Sequence, residues 1–222
     1  MLTFHTLLEE VKLRDEHIVL LKRTPFWNLF EAFIEKRIKY LKKFDESSIR
    51  VIGQYNSRDG RFVIGTKRLR IQPSDIQLIF GILNGRRLID TSYTSKQSSK
   101  RVSSPFIQRR FPDIPSLRTP IIKTAVKDAI IGRARDDVTD TVRLLCLYIC
   151  GTLLFATRGD RVRWGFVNYI EDIDNMGQYD WCTAIIDELT TSMDKSRANP
   201  HKVTGCILAL QVILKPKTIK FL

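Results

Sequence analysis

The sequence predicts a mainly α fold: a helical bundle with a small antiparallel β-meander near residues 49–71 and a long Ser/Pro-rich basic loop. Three observations predict it. Apolar residues recur near the 3.6 period over most of the chain, the period shifts between Ile49 and Ile71, and serines and prolines crowd the stretch from Asn84 to Pro120. With 222 residues, 43% hydrophobic and 27% charged, the chain has the apolar material for a real core, which argues against global disorder. A single unit over 1–222 is expected: N-terminal helices plus meander over 1–83, the basic loop over 84–120, and a C-terminal helical part over 121–222.

The first helical segment runs from about Thr6 to Lys22, with Leu7, Leu8, Val11, Ile18 and Leu21 as its apolar members. Thr24-Pro25-Phe26-Trp27 starts the next, because a Thr hydroxyl can cap free amides and Pro is harmless in a first turn. Phe26, Phe30, Phe33, Ile34, Arg37, Ile38 and Leu41 carry its stripe. Ile49-Arg50-Val51-Ile52, Arg61-Phe62-Val63-Ile64 and Arg68-Leu69-Arg70-Ile71 read as three strands, the first two separated by Asn56-Ser57-Arg58-Asp59-Gly60. Pro73-Ser74-Asp75 opens a helix that Gly81 is placed to end. After the loop, helices are expected over Ile121–Arg133, Asp137–Phe155, Val162–Asp174, Trp181–Lys195 with Asp180 as its cap, and Val203–Leu214.

Charge gives the first functional clue. The chain carries 37 Lys and Arg against 24 Asp and Glu, a net +13. Twelve basic residues against three aspartates lie between Asn84 and Arg135, so this stretch holds +9 and the remainder only +4. Such a balance suits nucleic acid, an acidic protein or an anionic surface. The opening residues lack a secretory pattern, and the longest apolar run, Leu144–Ile149, is far below the ~20 residues of a membrane helix. A soluble intracellular chain with reduced Cys146, Cys150, Cys182 and Cys206 is expected.

Catalytic signatures are missing. There is no phosphate-binding Gly-Lys-Ser/Thr loop, no Gly-x-Gly-x-x-Gly fingerprint and no Gly-x-Ser-x-Gly elbow. His5, His17 and His201 form no His-x-x-x-His pair, and the cysteines have no Cys-x-x-Cys spacing. Cys146 and Cys150 share a helical face but read as core, His201 and Cys206 have the wrong offset for a base and nucleophile, and Glu171, Asp172 and Asp174 read as a solvated acidic patch. No catalytic residue, metal or cofactor is assigned.

Four segments carry a resemblance: Leu147 to Phe155; Trp164 to Asp174; Gly177-Gln178-Tyr179-Asp180-Trp181; and Gly205 to Val212. In this order, and with Phe62 to Ile71 and Pro73 to Ile82 before them, they resemble the plant mobile domain, a transposon-derived family. The sequence departs from that pattern at Cys182, where a small residue is expected, and after Val212, where the domain looks cut short. The resemblance implies a non-catalytic nuclear module of gene regulation, silencing or development, with nuclear protein partners, in some family members a phosphatase-like protein. The family's "aminotransferase-like" label finds no lysine in a site context here that would hold pyridoxal phosphate.

Three readings follow. The first is a nuclear protein-interaction adaptor with Trp164, Tyr179 and Trp181 as aromatic anchors, although packing inside the core is the more common fate of such residues. The second is binding of DNA or RNA without sequence specificity through Arg86, Arg87, Lys96, Lys100, Arg101, Arg109 and Arg110. The third is a degenerate or unrecognised enzyme. No membrane partner is expected, and self-association is left open.

Overall fold

The computed structural model describes residues 2–38, 46–90, 101 and 103–214. It is mainly helical, with one small three-stranded antiparallel sheet. The helices in chain order are α1 (Leu2–Glu10), α2 (Asp15–Leu21), α3 (Trp27–Ile34), α4 (Glu46–Gly53), α5 (Pro73–Phe80), α6 (Pro105–Arg110), α7 (Thr119–Ile131), α8 (Arg135–Ile149), α9 (Val167–Ile170), α10 (Trp181–Lys195) and α11 (Ile207–Leu214). The strands β1 (Tyr55–Asn56), β2 (Arg61–Ile64) and β3 (Lys67–Leu69) lie between α4 and α5.

α8 is the centre of the fold. Val142 and every residue from Leu144 to Ile149 are buried, and the helix continues through a wider π turn over Cys150–Leu154. α7 packs along α8, α2 crosses it, and Phe4 of α1 stacks on Tyr148 at 5.9 Å. α10 starts where Asp180 Oδ1 accepts from the Thr183 amide at 2.8 Å, satisfying an amide that has no partner within the helix. Trp181, fully buried, sits edge-on to Phe26 at 4.9 Å and donates from Nε1 to the Met176 carbonyl at 2.9 Å. Truncating such a residue to Ala removes roughly 3–5 kcal/mol. Apart from Val138, the buried apolar residues of these helices form one cluster.

Local differences from the sequence expectation have physical reasons. Residues 49–52 belong to α4 rather than to a strand: Ser48 and Ile52, four apart, are buried, and Ser48 Oγ accepts from Gln211 Nε2 at 2.7 Å. The meander therefore starts at Tyr55. The expected helix over Thr6–Lys22 divides at Val11–Arg14, where Arg14 leaves the helical path to bond the carbonyls of Ile130 and Gly132 at 2.5 and 2.7 Å. These are carbonyls at the end of α7 that no following turn can satisfy. Thr24 does not cap α3; its buried hydroxyl donates to the Leu21 carbonyl at 2.7 Å and closes α2. α3 stops at Ile34, with Lys36 at φ 56°, and Leu41 lies outside the described residues.

α5 begins and ends as expected: Asp75 Oδ2 accepts from the Gln72 amide at 2.7 Å and Gly81 takes φ 63°. The Ser/Pro-rich stretch contains a helix, α6, capped by Ser104 and anchored by buried Phe106 and Ile107. Residues 91–100 and 102 of the expected loop lie outside the described residues. The Val162–Asp174 segment is a 3-10 turn (Trp164–Phe166) followed by the short α9, and the last helix starts at Ile207, after Gly205 at φ 90°. Among the described residues no helix is long and apolar enough to cross a membrane.

Candidate nucleic-acid interface

Of the residues expected to contact nucleic acid, Arg109 and Arg110 converge on one carboxylate. Arg109 and Arg110 turn inward onto Asp140, whose side chain is wholly buried. Arg109 grips both carboxylate oxygens, from Nε at 3.0 Å and Nη2 at 3.1 Å. Arg110 Nε donates to the same carboxylate at 2.9 Å, its Nη2 reaches Asp137 at 2.5 Å, and Arg143 Nη1 adds a fourth contact to Asp140 at 3.0 Å. A buried carboxylate is tolerated only when so compensated, so these guanidiniums anchor α6 to α8, Arg110 half-buried and Arg109 with 35% of its side chain still exposed. Asp137 also accepts from the Ala134 amide, and its carboxyl is held below the usual range, chiefly by Arg110.

Arg101 donates from Nη2 to the Phe111 carbonyl at 2.9 Å. Arg86 and Arg87 remain exposed, and Arg87 lies over the Tyr179 ring at 5.8 Å while its Nη1 reaches Gln178 Oε1 at 3.1 Å. Lys96 and Lys100 lie outside the described residues. Of the three aromatic anchors, Trp164 and Trp181 are core residues, 2% and 0% exposed. Trp164 packs edge-on to Phe111 and Trp181 between Phe26 and Phe155. Tyr179 is half-buried, with its ring 5.0 Å from that of Tyr169. These residues do not form an exposed aromatic recognition patch.

A different basic surface emerges from the meander. Between Arg50 and Arg70 there are six basic residues (Arg50, Arg58, Arg61, Lys67, Arg68, Arg70) against Asp59 alone, and all six are exposed. The register explains how they are presented. Phe62 pairs with Leu69, Val63 with Arg68 and Asn56 with Arg61, and paired residues share a face. Phe62 is 1% exposed and its ring lies 5.2 Å from that of Tyr55, so its face is the inward one. Arg61, Val63 and Arg68 therefore lie on the outward face, and exposed Arg70 follows the end of β3. Arg68 meets Asp59 at 3.8 Å with its side chain 64% exposed; among the described residues the other five form no ion pair.

Tertiary packing adds a second segment. α4 packs against the 3-10 turn Pro200–Lys202, and Ser48 is tied to Gln211 of α11. The Tyr55 hydroxyl is held above its ordinary pKa by burial first and then by Asp194, with Arg70 opposing and Asp59 adding a smaller push. Lys195, Arg197 and Lys202 are exposed at and before that 3-10 turn, with Asp194 the only acid between residues 194 and 202. Two segments about 130 residues apart thus contribute cations to one side of the molecule. Chemically, the arrangement offers exposed guanidiniums on one face of a small sheet, a group type suited to phosphate oxygens through charge-assisted hydrogen bonds. The charge count over residues 50–70 was visible in the sequence, whereas the contribution of residues 195–202 required the packing.

A family model matches residues 41–211, which cover the meander, the Asp140 cluster and all helices from α4 to most of α11. The chain belongs to the family described as Domain of unknown function (DUF8566). No curated protein and no solved structure matches the chain. The DUF8566 match starts after α3, yet Phe4 and Phe26 from the preceding helices pack on Tyr148 and Trp181 inside the matched region. Among the described residues no three His, Cys, Asp or Glu side chains cluster as metal ligands. All four cysteines are buried, which pushes each thiol up; Cys182 and Cys206 are raised to about 12.

Proposed function

We propose that the chain is a non-catalytic module that holds DNA or RNA by the phosphate backbone. The observation that carries the reading is the outward face of β2 and β3, where Arg61 and Arg68 are placed by the strand register, with exposed Arg70 just past β3 and a second exposed basic segment nearby. Backbone-directed cations give affinity without sequence readout, because phosphates are the same at every base pair. Nuclear residence and descent from a plant mobile element, implied by the resemblance described above, belong to this reading, as does an adaptor role in which a protein partner docks elsewhere on the molecule.

The test is fluorescence anisotropy of labelled duplex DNA and single-stranded RNA with the full chain at two salt concentrations. Each phosphate neutralised contributes a slope of about −0.9 in log K against log salt. Five contacts then weaken binding on the order of 500-fold between 50 and 200 mM salt. Absence of binding to either nucleic acid at the lower salt refutes the proposal.

A further inference from the structure

The segment entering α7 and the segment following the π turn meet in a short antiparallel ribbon, where the Thr119 amide donates to the Asp160 carbonyl and the Val162 amide to the Leu117 carbonyl, both at 2.9 Å. These two bonds flank Arg118 and Arg161, which stand opposite each other and exchange none of their own. In an antiparallel pair this is the close position, with both side chains on one face and Cβ atoms about 4.5–5.5 Å apart. Leu117, Thr119 and Val162 beside them are buried, so the alternation of the ribbon turns Arg118 and Arg161 outward, and both are exposed. The turn between Thr157 and Arg161 is closed by Thr157 Oγ1, which donates to the Arg161 carbonyl at 2.7 Å, and it carries Arg158, also exposed. Arg118 Nη1 reaches back over this turn to the Gly159 carbonyl at 3.4 Å.

Like charges placed directly opposite on one face of a ribbon repel. Over residues 117–119 and 157–162 there are three arginines and Asp160 alone, a net +2. Among the described residues Asp160 forms an ion pair with none of the three, and none of them pairs with any other acid. Glu188 of α10 is taken up by Arg163, the next arginine along the chain, at 2.9 and 2.5 Å. At Asp140 the fold itself sets a carboxylate among three guanidiniums, whereas at this ribbon the two facing guanidiniums meet each other with no carboxylate between them.

We infer that Arg118 and Arg161 grip the terminal phosphate of a phosphate monoester between them, with Arg158 adding to the field. Charge and shape together select this class. A monoester carries about −1.5 to −2 near neutral pH, which answers the +2 of the ribbon, and its three terminal oxygens accept from two guanidinium forks at once. Binding it turns a repulsive cross-strand pair into an attractive triad. A carboxylate or a phosphodiester brings a single charge and leaves the other guanidinium unanswered. The inference does not depend on nucleic-acid binding by the meander, which presents its arginines to singly charged backbone phosphates.

The experiment is a set of thermal melts of the full chain at low salt and slightly above neutral pH, with methyl phosphate, dimethyl phosphate or chloride added at equal ionic strength. Methyl phosphate should raise Tm above the chloride value and dimethyl phosphate should not. The double variant Arg118→Gln, Arg161→Gln should lose this rise, while Arg61→Ser with Arg68→Ser should keep it. In chloride alone, Arg161→Gln should raise Tm by up to about 4 °C, because it removes one of two facing like charges. The same melts report whether each variant folds. A methyl phosphate effect that is absent, that is matched by the diester or that survives in the double variant overturns the inference, as does a lower Tm for Arg161→Gln in chloride. Anisotropy of a labelled duplex with and without a 5′-phosphate then distinguishes the sources: tighter binding of the phosphorylated duplex that requires Arg118 and Arg161 names a nucleic-acid end, and equal binding beside a positive methyl phosphate result names a small ester. Failure of the meander variants to affect DNA binding bears only on the proposed function.

Discussion

Replacing Asp140 with Asn keeps the volume and one acceptor oxygen but removes the charge that holds Arg109, Arg110 and Arg143 together. It also turns an amide N–H₂ toward a guanidinium. Breaking a buried pair from one side costs roughly 3–5 kcal/mol, because the partner charges are left uncompensated. Two features reduce that here: the Arg109 side chain is 35% exposed, and Asp136 and Asp137 remain within reach of Arg109 and Arg110. The expected loss is about 3 kcal/mol. At ~2–4 °C per kcal/mol for a domain of this size, Tm falls by roughly 6–12 °C. Urea unfolding is the better assay, since a lower midpoint at constant m isolates stability from a change in compactness. Arg109→Ala should cost less, about 1–2 kcal/mol, and leave nucleic-acid affinity unaltered. A loss below about 1 kcal/mol for the Asp140 variant, or a large affinity loss with full stability for the Arg109 variant, would refute the inward assignment of this cluster.

Further outcomes follow from other parts of the fold. His17 is fully buried, accepts from the Arg14 amide through Nδ1 at 3.1 Å, and has an unpartnered Nε2. Burial first, then Arg14, lowers its pKa below 6.5, with Glu16 opposing. Below that value the unfolded chain binds a proton that the folded chain resists, so stability is lost as pH falls through 6.5. His17→Asn should flatten the dependence of the urea midpoint between pH ~5 and 6.5, and an unchanged slope would count against this role. Gly85 lies where an added Cβ would stand 2.0 Å from the Gln178 carbonyl carbon, in the strap joined by Gly85 N–H to the Tyr179 carbonyl at 2.9 Å. Gly85→Ala should destabilise by about 1–3 kcal/mol in thermal melts and expose Trp181 to quenchers. The four thiols, buried and raised, should react with a maleimide only at the rate of unfolding; rapid labelling of native protein would contradict their burial.

Much of the helical framework was legible because caps and apolar periods agree. Pro73 with Asp75 and Gly81 bracket α5, and Asp180 begins α10 where its side chain bonds Thr183. The stretch Ile49-Arg50-Val51-Ile52 misled because a β-branched run reads as a strand, while the decisive contact, Ser48 with Gln211, spans 163 residues. Thr24 misled for the same kind of reason, as its hydroxyl serves the helix behind it. α6 was hidden by serine and proline content, although Ser104-Pro105 is itself a helix start. Counting over Asn84–Arg135 joined arginines that face a buried carboxylate to arginines that face solvent, and no one-dimensional count separates them. Meanwhile the denser meander charge was read only for its strand pattern. Which cations lack an internal partner is a tertiary property.

The most direct measurement is the salt dependence of DNA binding by wild type and by the triple variant Arg61→Ser, Arg68→Ser, Arg70→Ser. The account predicts that the slope of log K against log salt falls by about 2.7, with Tm nearly unchanged because these side chains are exposed. An unchanged slope in the triple variant, with binding abolished instead by replacing Arg86 and Arg87, would contradict it.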